Sequence, residues 1–169
     1  MAAATIAIAL SSVLGCAPEP APVPTPTPAF ASEEEAFAAA EEVYRAYNDA
    51  LNESRITDNA VTNPRKYLAG PALESDIDAT RYLQEQGLKI VGEGQIVDFA
   101  GTTAGLTSGG VEVTAKVCLD VSRTQVLDAS GRDVTPHDRP TRLPLDVAFV
   151  RSDGALLISS SNLLDGDPC

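Results

Sequence analysis

Three cysteines, Cys16, Cys118 and Cys169, carry the clearest chemistry in the sequence. A thiol can be acylated, oxidised to a disulfide or used as a metal ligand, and its surroundings select among these reactions. No C-x-x-C motif is present, so the spacing favours a structural bridge over a redox couple. If Cys16 is modified, Cys118 and Cys169 remain as a pair, and a bridge closing roughly 50 residues would stabilise the fold by about 4 kcal/mol.

Cys16 stands directly after Val13-Leu14-Gly15, at the end of an uncharged apolar run. The run is too short to span a membrane, which takes about 20 apolar residues, and has the length of a signal-peptide core. The pattern is typical of a bacterial lipoprotein leader, in which the thiol receives a diacylglycerol and the bond between Gly15 and Cys16 is cut. We therefore predict a signal peptide over residues 1–15, lipid attachment at Cys16, and an extracytoplasmic protein anchored to the bacterial cell membrane.

The leader lacks one expected element, because no Lys or Arg precedes Arg45. A signal peptide begins with basic residues, so we expect the true start site to lie upstream of Met1. An ordinary secretory leader with an unmodified Cys16 is the alternative.

Residues 16–31 form a proline-rich linker, with proline at every second position from Pro18 to Pro28. Proline removes backbone donors and fixes φ near the polyproline II value. At about 3.1 Å per residue, the linker would hold the following domain up to roughly 45 Å from its anchor. Residues 32–169 then suffice for one folded domain.

The net charge of −12 disfavours nucleic acid, whose phosphates would be repelled. Motifs for bound groups are incomplete: Gly92-Glu93-Gly94 lacks the third glycine of a dinucleotide fingerprint, and the turn after Asp128 lacks the closing Glu of a calcium loop. The sole histidine, His137, lies in a polar loop. We predict no catalytic residue, no metal, no cofactor and no nucleic acid.

Helical periodicity fills the first half of the domain. Ser32-Glu33-Glu34-Glu35 is a capping box that predicts a helix from residue 32 to about 55. Its apolar stripe comprises Phe37, Ala40, Tyr44, Tyr47 and Leu51. Asn63-Pro64 begins a short helix, and a further helix is predicted over residues 71 to 86, ending at Gly87. Its expected inward residues are Leu73, Ile77, Thr80 and Leu83.

From residue 88 the apolar period changes to two, which predicts strands. We expect them over residues 88–99, with a bend at its glycines, and over 111–121, 124–127, 141–151 and 156–163, with a flexible connection over 101–110. In the second strand the odd-numbered residues are apolar, so Cys118 falls on the opposite face and its disulfide outside the core. Helices followed by an antiparallel meander predict an α+β domain.

This order resembles actinobacterial lipoproteins with a nuclear transport factor 2-like domain, the cone architecture of ketosteroid isomerases and polyketide cyclases. The likeness covers residues 32–169 and is carried by Val43-Tyr44-Arg45-Ala46-Tyr47, Gly87, Val117-Cys118-Leu119-Asp120-Val121, Asp128-Ala129-Ser130-Gly131 and Cys169. It implies N-terminal helices packed in a curved antiparallel sheet that leaves a pocket. Enzymes of this kind use a carboxylate base with a Tyr or His partner, which points to Asp98 and Tyr47, although a structural role is the default for both.

Three functions follow from these expectations. A non-catalytic binding or interaction module, which holds a small apolar ligand or a protein partner, requires the fewest specific residues. An isomerase or cyclase would require a carboxylate inside a closed pocket. An assembly subunit that dimerises through its sheet would require an apolar outer sheet face.

Overall fold

The computed structural model describes residues 30–57, 63–107, 110–166 and 169. The predicted leader, Cys16 and the linker up to residue 29 lie outside the described residues. In chain order the described elements are α1 (Glu33–Ile56), a 3₁₀ turn (Pro64–Tyr67), α2 (Gly70–Glu85), β1 (Lys89–Val91), β2 (Gln95–Thr107), β3 (Gly110–Asp120), β4 (Gln125–Leu127), β5 (Arg142–Ser152) and β6 (Ala155–Leu163).

Four strands form an antiparallel sheet in the order β2-β3-β5-β6, while β1 pairs with β4 in a separate antiparallel ribbon. Each neighbouring pair in the main sheet is also consecutive among its four strands, which makes the sheet a meander. Both helices precede this sheet in the chain, and α1 contacts β2, β3 and β6. The α+β class predicted from the sequence is therefore confirmed.

α1 begins at the predicted capping box. The Ser32 hydroxyl accepts from the Glu35 amide at 3.2 Å, and the Glu35 carboxylate accepts from the Ala31 amide at 2.7 Å, one residue before the amide that the motif normally uses. On the exposed side, Arg45 forms an ion pair with Glu41, four residues earlier, at 2.7 Å. Among the described residues, no helix is long and apolar enough to cross a membrane.

The core lies between one face of α1 and the sheet. Ala36 and Ala40 are completely buried, and they meet the alternate residues of β3 and β5 that point toward the helix. The buried residues on this face of the two strands are Val113, Ala115, Val117, Leu145, Val147 and Phe149. The period of two predicted for these strands thus separates a core face from an outer face.

β2 and β3 form one long hairpin, so the predicted flexible connection over residues 101 to 110 is wrong. The hydroxyls of Thr102 and Thr103 lie 2.7 and 2.6 Å from the Thr114 hydroxyl across the pair. A segment that is rich in glycine and threonine resembles a loop when it is considered alone. Here the segment is a strand because its backbone pairs with β3, and a local sequence pattern does not show this pairing.

The predicted strand over residues 88 to 99 is divided into β1 and β2 by a turn at the two glycines, as the expected bend indicates. Gly92 has φ +84°, and the carbonyl group of Arg123 occupies the place that a Cβ would take. Only glycine fits this close approach and this left-handed backbone. The turn redirects the chain so that β1 pairs with β4 instead of the main sheet.

Cys118 and Cys169 form the predicted disulfide, with Cα atoms 5.7 Å apart and a sequence separation of 51. Cys118 lies outside the core cluster that contains its neighbour Val117, so the bridge is on the sheet face away from α1. Arg142 adds a hydrogen bond from Nη1 to the Cys169 carbonyl oxygen at 2.9 Å. Closing a loop of this length contributes about 4 kcal/mol to stability.

The close approach of α1 to β2 can be tested at Gly101, because the ring of Phe37 occupies the space that a Cβ at this position would take. We expect Gly101→Ala to lower the free energy of unfolding by about 1 to 3 kcal/mol through overpacking. Gly105→Ala is the matched control in the same strand, since its Cβ would meet the Glu112 carbonyl oxygen at an ordinary 3.7 Å. Urea unfolding followed by circular dichroism measures both, and equal stabilities would contradict the packing described.

Candidate functional site

The second half of α1, the inner side of α2 and the main sheet enclose an open cleft of about 680 Å³. Its floor consists of apolar side chains that are almost fully buried, namely Leu68, Leu145 and Ile158. A parallel bridge between Leu68 and Ile158 joins the floor to β6, and the Ala69 amide donates to the Ile158 carbonyl oxygen at 2.9 Å. The cleft is therefore built on a fixed, apolar base.

α1 forms one wall of the cleft with Tyr44, Tyr47, Leu51 and Arg55. Their spacings of three and four residues place them on one helix face, so this wall continues the apolar stripe seen in the sequence. The stripe ends at Arg55, which was not predicted from the sequence as a site residue. Continuing the spacing of four residues beyond Leu51 leads to Arg55 and would have indicated it.

α2 forms the opposite wall with Ala72, Asp76, Thr80 and Leu83. The prediction that Ile77 faces inward is wrong, because its side chain is 41% exposed. None of the residues of α2 is fully buried, and the inner side of this helix borders the cleft.

An ion pair fixes the carboxylate of the α2 wall. Arg65 Nε donates to Asp76 Oδ2 at 2.6 Å, and Arg65 Nη2 donates to the Thr80 hydroxyl at 3.0 Å. Arg65 belongs to the 3₁₀ turn, whose N-cap Asn63 accepts from the Arg65 amide at 3.0 Å. Arg65 thus joins the 3₁₀ turn to α2 at two positions, and it neutralises the Asp76 carboxylate that lines the cleft.

Tyr47 lies between opposite charges. Burial raises its pKa, the negative charge of Asp76 raises it further, and the positive charge of Arg55 acts in the opposite direction. Burial also raises the pKa of Tyr44, and it lowers the pKa of Arg55. Both phenols therefore keep their protons at neutral pH and can donate hydrogen bonds into the cleft.

The end of α1 is attached to the turn between β1 and β2 through two asparagines. Asn48 Nδ2 and Asn52 Nδ2 donate to the Gly94 carbonyl oxygen at 3.0 and 2.9 Å, and the Gly94 amide donates to Asn52 Oδ1 at 2.9 Å. The guanidinium of Arg55 lies beside Gly94, with Nη1 3.6 Å from the position of a Cβ on that glycine. These bonds hold the cationic end of the wall in place.

The structure separates the two residues that the resemblance implied for catalysis. Tyr47 lines the cleft, but Asp98 is exposed on β2. Asp98 lies opposite Cys118 in the strand pairing, which places it on the sheet face away from α1. The carboxylate found in the cleft is instead Asp76, which sequence reasoning missed because Arg65 and the α1 wall reach it only in the folded chain.

The remaining candidate residues lie outside the cleft. His137 is exposed in its loop, and the Cys118–Cys169 bridge is on the outer sheet face. In the described ranges, no cluster of three His, Cys, Asp or Glu side chains has the geometry to hold a metal ion.

The outer sheet face is polar along its centre. Lys116 of β3 stands opposite Asp146 of β5, and both side chains are exposed, as is Glu112 near the end of β3. Dimerisation through this face would require these charges to be desolvated. The cleft is accordingly the better candidate for a site than the outer sheet face.

No family model matches the chain, and no curated protein matches it. Among solved structures, the chain is similar to the crystal structure of the intermembrane space region of the chloroplast protein ARC6, with a TM-score of 0.52. The match covers 76% of this chain and 95% of that chain at 13% sequence identity. A likeness at this identity concerns the arrangement of helices and strands alone, so the chemistry of the cleft has to be derived from the side chains of this chain.

The charges around Tyr47 predict opposite effects of two substitutions. Asp76→Asn removes a negative charge that disfavours tyrosinate, so we expect the pKa of Tyr47 to fall. Arg55→Met removes a positive charge that favours tyrosinate, so we expect it to rise. An NMR titration of the Tyr47 ring resonances measures both, with the exposed Tyr82 as internal control. Shifts in the same direction would contradict the described arrangement.

The raised pKa values of Tyr44 and Tyr47 also predict a loss of stability at alkaline pH. The pKa of Tyr44 and Tyr47 in the folded protein lies above the unfolded value of about 10, so the folded state binds these protons more tightly. Their contribution to stability is complete below about pH 10 and is lost as the pH rises through the folded-state values.

Proposed function

We propose that this protein is a membrane-anchored extracytoplasmic lipoprotein whose nuclear transport factor 2-like cone domain binds a small, largely apolar ligand without catalysis. The observation that carries the proposal is the cleft between α1, α2 and the sheet. Its volume of about 680 Å³ falls in the range of small-molecule sites, about 300 to 1,000 Å³. A buried apolar floor with a few polar groups on the walls is the lining that such sites have.

The contacts of Asp76 favour binding over the isomerase or cyclase alternative. A general base must be free to accept a proton from the substrate, but Arg65 holds the Asp76 carboxylate at 2.6 Å. Asp98, the other carboxylate considered for this role, is exposed on the far side of the sheet. The cleft therefore offers orientation and apolar contact more readily than proton transfer.

The proposed anchor is compatible with an open cleft. Phe30, the first described residue, packs against the core, and the guanidinium of Arg151 lies 5.9 Å from its ring centroid. The linker would thus join the domain at the start of α1, whereas the cleft begins at Tyr44. At 1.5 Å per residue along the helix, this separates the entry of the linker from the middle of the cleft by roughly 20 Å.

Ligand binding can be tested with N-phenylnaphthylamine, a neutral apolar probe whose fluorescence rises when it leaves water. We expect the probe to bind the purified domain, and Ala79→Trp, at the wall of α2, to weaken binding at least about tenfold by filling the cleft. Ala38→Trp, on the exposed side of α1, is the matched control. If the probe does not bind, or binds both variants equally, the proposed binding function is wrong.

Anchoring can be tested separately by expressing the full chain with its native leader in a bacterial host. We expect mass spectrometry to find an N-terminal peptide that begins at a diacylglyceryl-modified Cys16, and Cys16→Ser to release the protein from the membrane fraction. An unmodified Cys16, or cleavage at another bond, would contradict the lipoprotein assignment without affecting the test of the cleft.

A further inference from the structure

The charge of the cleft opposes the charge of the chain. The whole sequence carries −12, yet the described side chains that line the cleft include Arg55 and only one carboxylate, Asp76. That carboxylate is already paired with Arg65, which approaches it from the 3₁₀ turn. The local excess is therefore positive, in a protein whose surface otherwise favours cations.

The positive charge of the cleft depends on Arg55. Its side chain is partly buried, and within the described ranges no carboxylate forms an ion pair with it. Burial accordingly lowers its pKa, because the charged form is less well solvated than in water. A cation in this position gains most from an anion that enters the cleft beside it, since an ion pair formed there is less screened than one on the surface.

Tyr47 provides a second donor on the same face of α1, eight residues before Arg55 and two helical turns away. Its hydroxyl is protonated at neutral pH and carries no charge that would repel an anion. Between the two residues lies Leu51, which also lines the cleft. One helix face thus presents a donor, an apolar contact and a guanidinium in sequence.

We propose that the ligand is an amphipathic anion, with its acidic group bound by Arg55 and the Tyr47 hydroxyl and its apolar body against Leu51, Leu145 and Ile158. The planar guanidinium can bind a carboxylate, phosphate or sulfonate through two parallel hydrogen bonds. The buried floor offers no charge, so it suits the hydrocarbon part of such a molecule. This inference rests on the proposed binding function and specifies the chemical class of its ligand.

A pair of probes with the same ring system separates the two claims. Anilinonaphthalene sulfonate carries a sulfonate on the skeleton of N-phenylnaphthylamine, so the two differ in charge and share the apolar body. We expect the sulfonate to bind at least roughly tenfold more tightly than the neutral probe, as a charge-assisted hydrogen bond allows. We expect Arg55→Met to remove this preference, while Arg81→Met, an exposed arginine of α2, leaves it unchanged.

Tyr47→Phe provides a second variant, because it keeps the ring and deletes the hydroxyl. We expect it to weaken binding of the sulfonate severalfold and to leave binding of the neutral probe unchanged. This result does not depend on whether Arg55→Met folds. Equal binding of both probes to the wild type, or a preference for the sulfonate that persists in Arg55→Met, would contradict the proposal of an anionic ligand without contradicting the binding function. Failure of both probes to bind overturns the two proposals together. Competition by dodecanoate and by dodecyl phosphate then distinguishes a carboxylate from a phosphate head group.

Discussion

The close packing of the first half of α1 on the sheet is the constraint on which the rest of the domain depends. Ala36 and Ala40 are fully buried, and Phe37 lies over a glycine of β2, so small residues let the helix approach the strands. Beyond Tyr44 the same helix lines the cleft with Tyr47, Leu51 and Arg55.

Polar contacts keep that space from collapsing. Asn48 and Asn52 fasten α1 to the backbone of Gly94, and Arg65 fastens the 3₁₀ turn to α2 through Asp76. Among the described residues, no buried side-chain nitrogen or oxygen lacks a hydrogen-bond partner. Because an unsatisfied buried group costs about 1 to 3 kcal/mol, these networks favour one arrangement of the two walls over more compact alternatives.

Local patterns predicted much of the fold. The capping box placed the start of α1 within a residue, and the alternation around Cys118 placed the disulfide outside the core. The extent of β2 was not predictable in this way, because its threonines and glycines become a strand only through pairing with β3. The prediction that Ile77 faces inward was wrong for a related reason. Helical periodicity groups the residues of α2 into faces, but only tertiary packing determines which face borders the cleft.

The candidate site was harder to predict than the fold, because its polar members come from distant parts of the chain. Arg55 and Asp76 are ordinary charged residues of two helices until tertiary packing brings their charges near Tyr47, and Arg65 pairs with Asp76 from the 3₁₀ turn. Their environment also determines how an anion would be recognised. The exterior carries an excess of carboxylates that repels anions over a distance of about 8 Å at physiological salt, whereas Arg55 acts at contact and with less screening. Under the proposed function, charge would therefore contribute to selectivity at the site, and the apolar floor would provide most of the attraction.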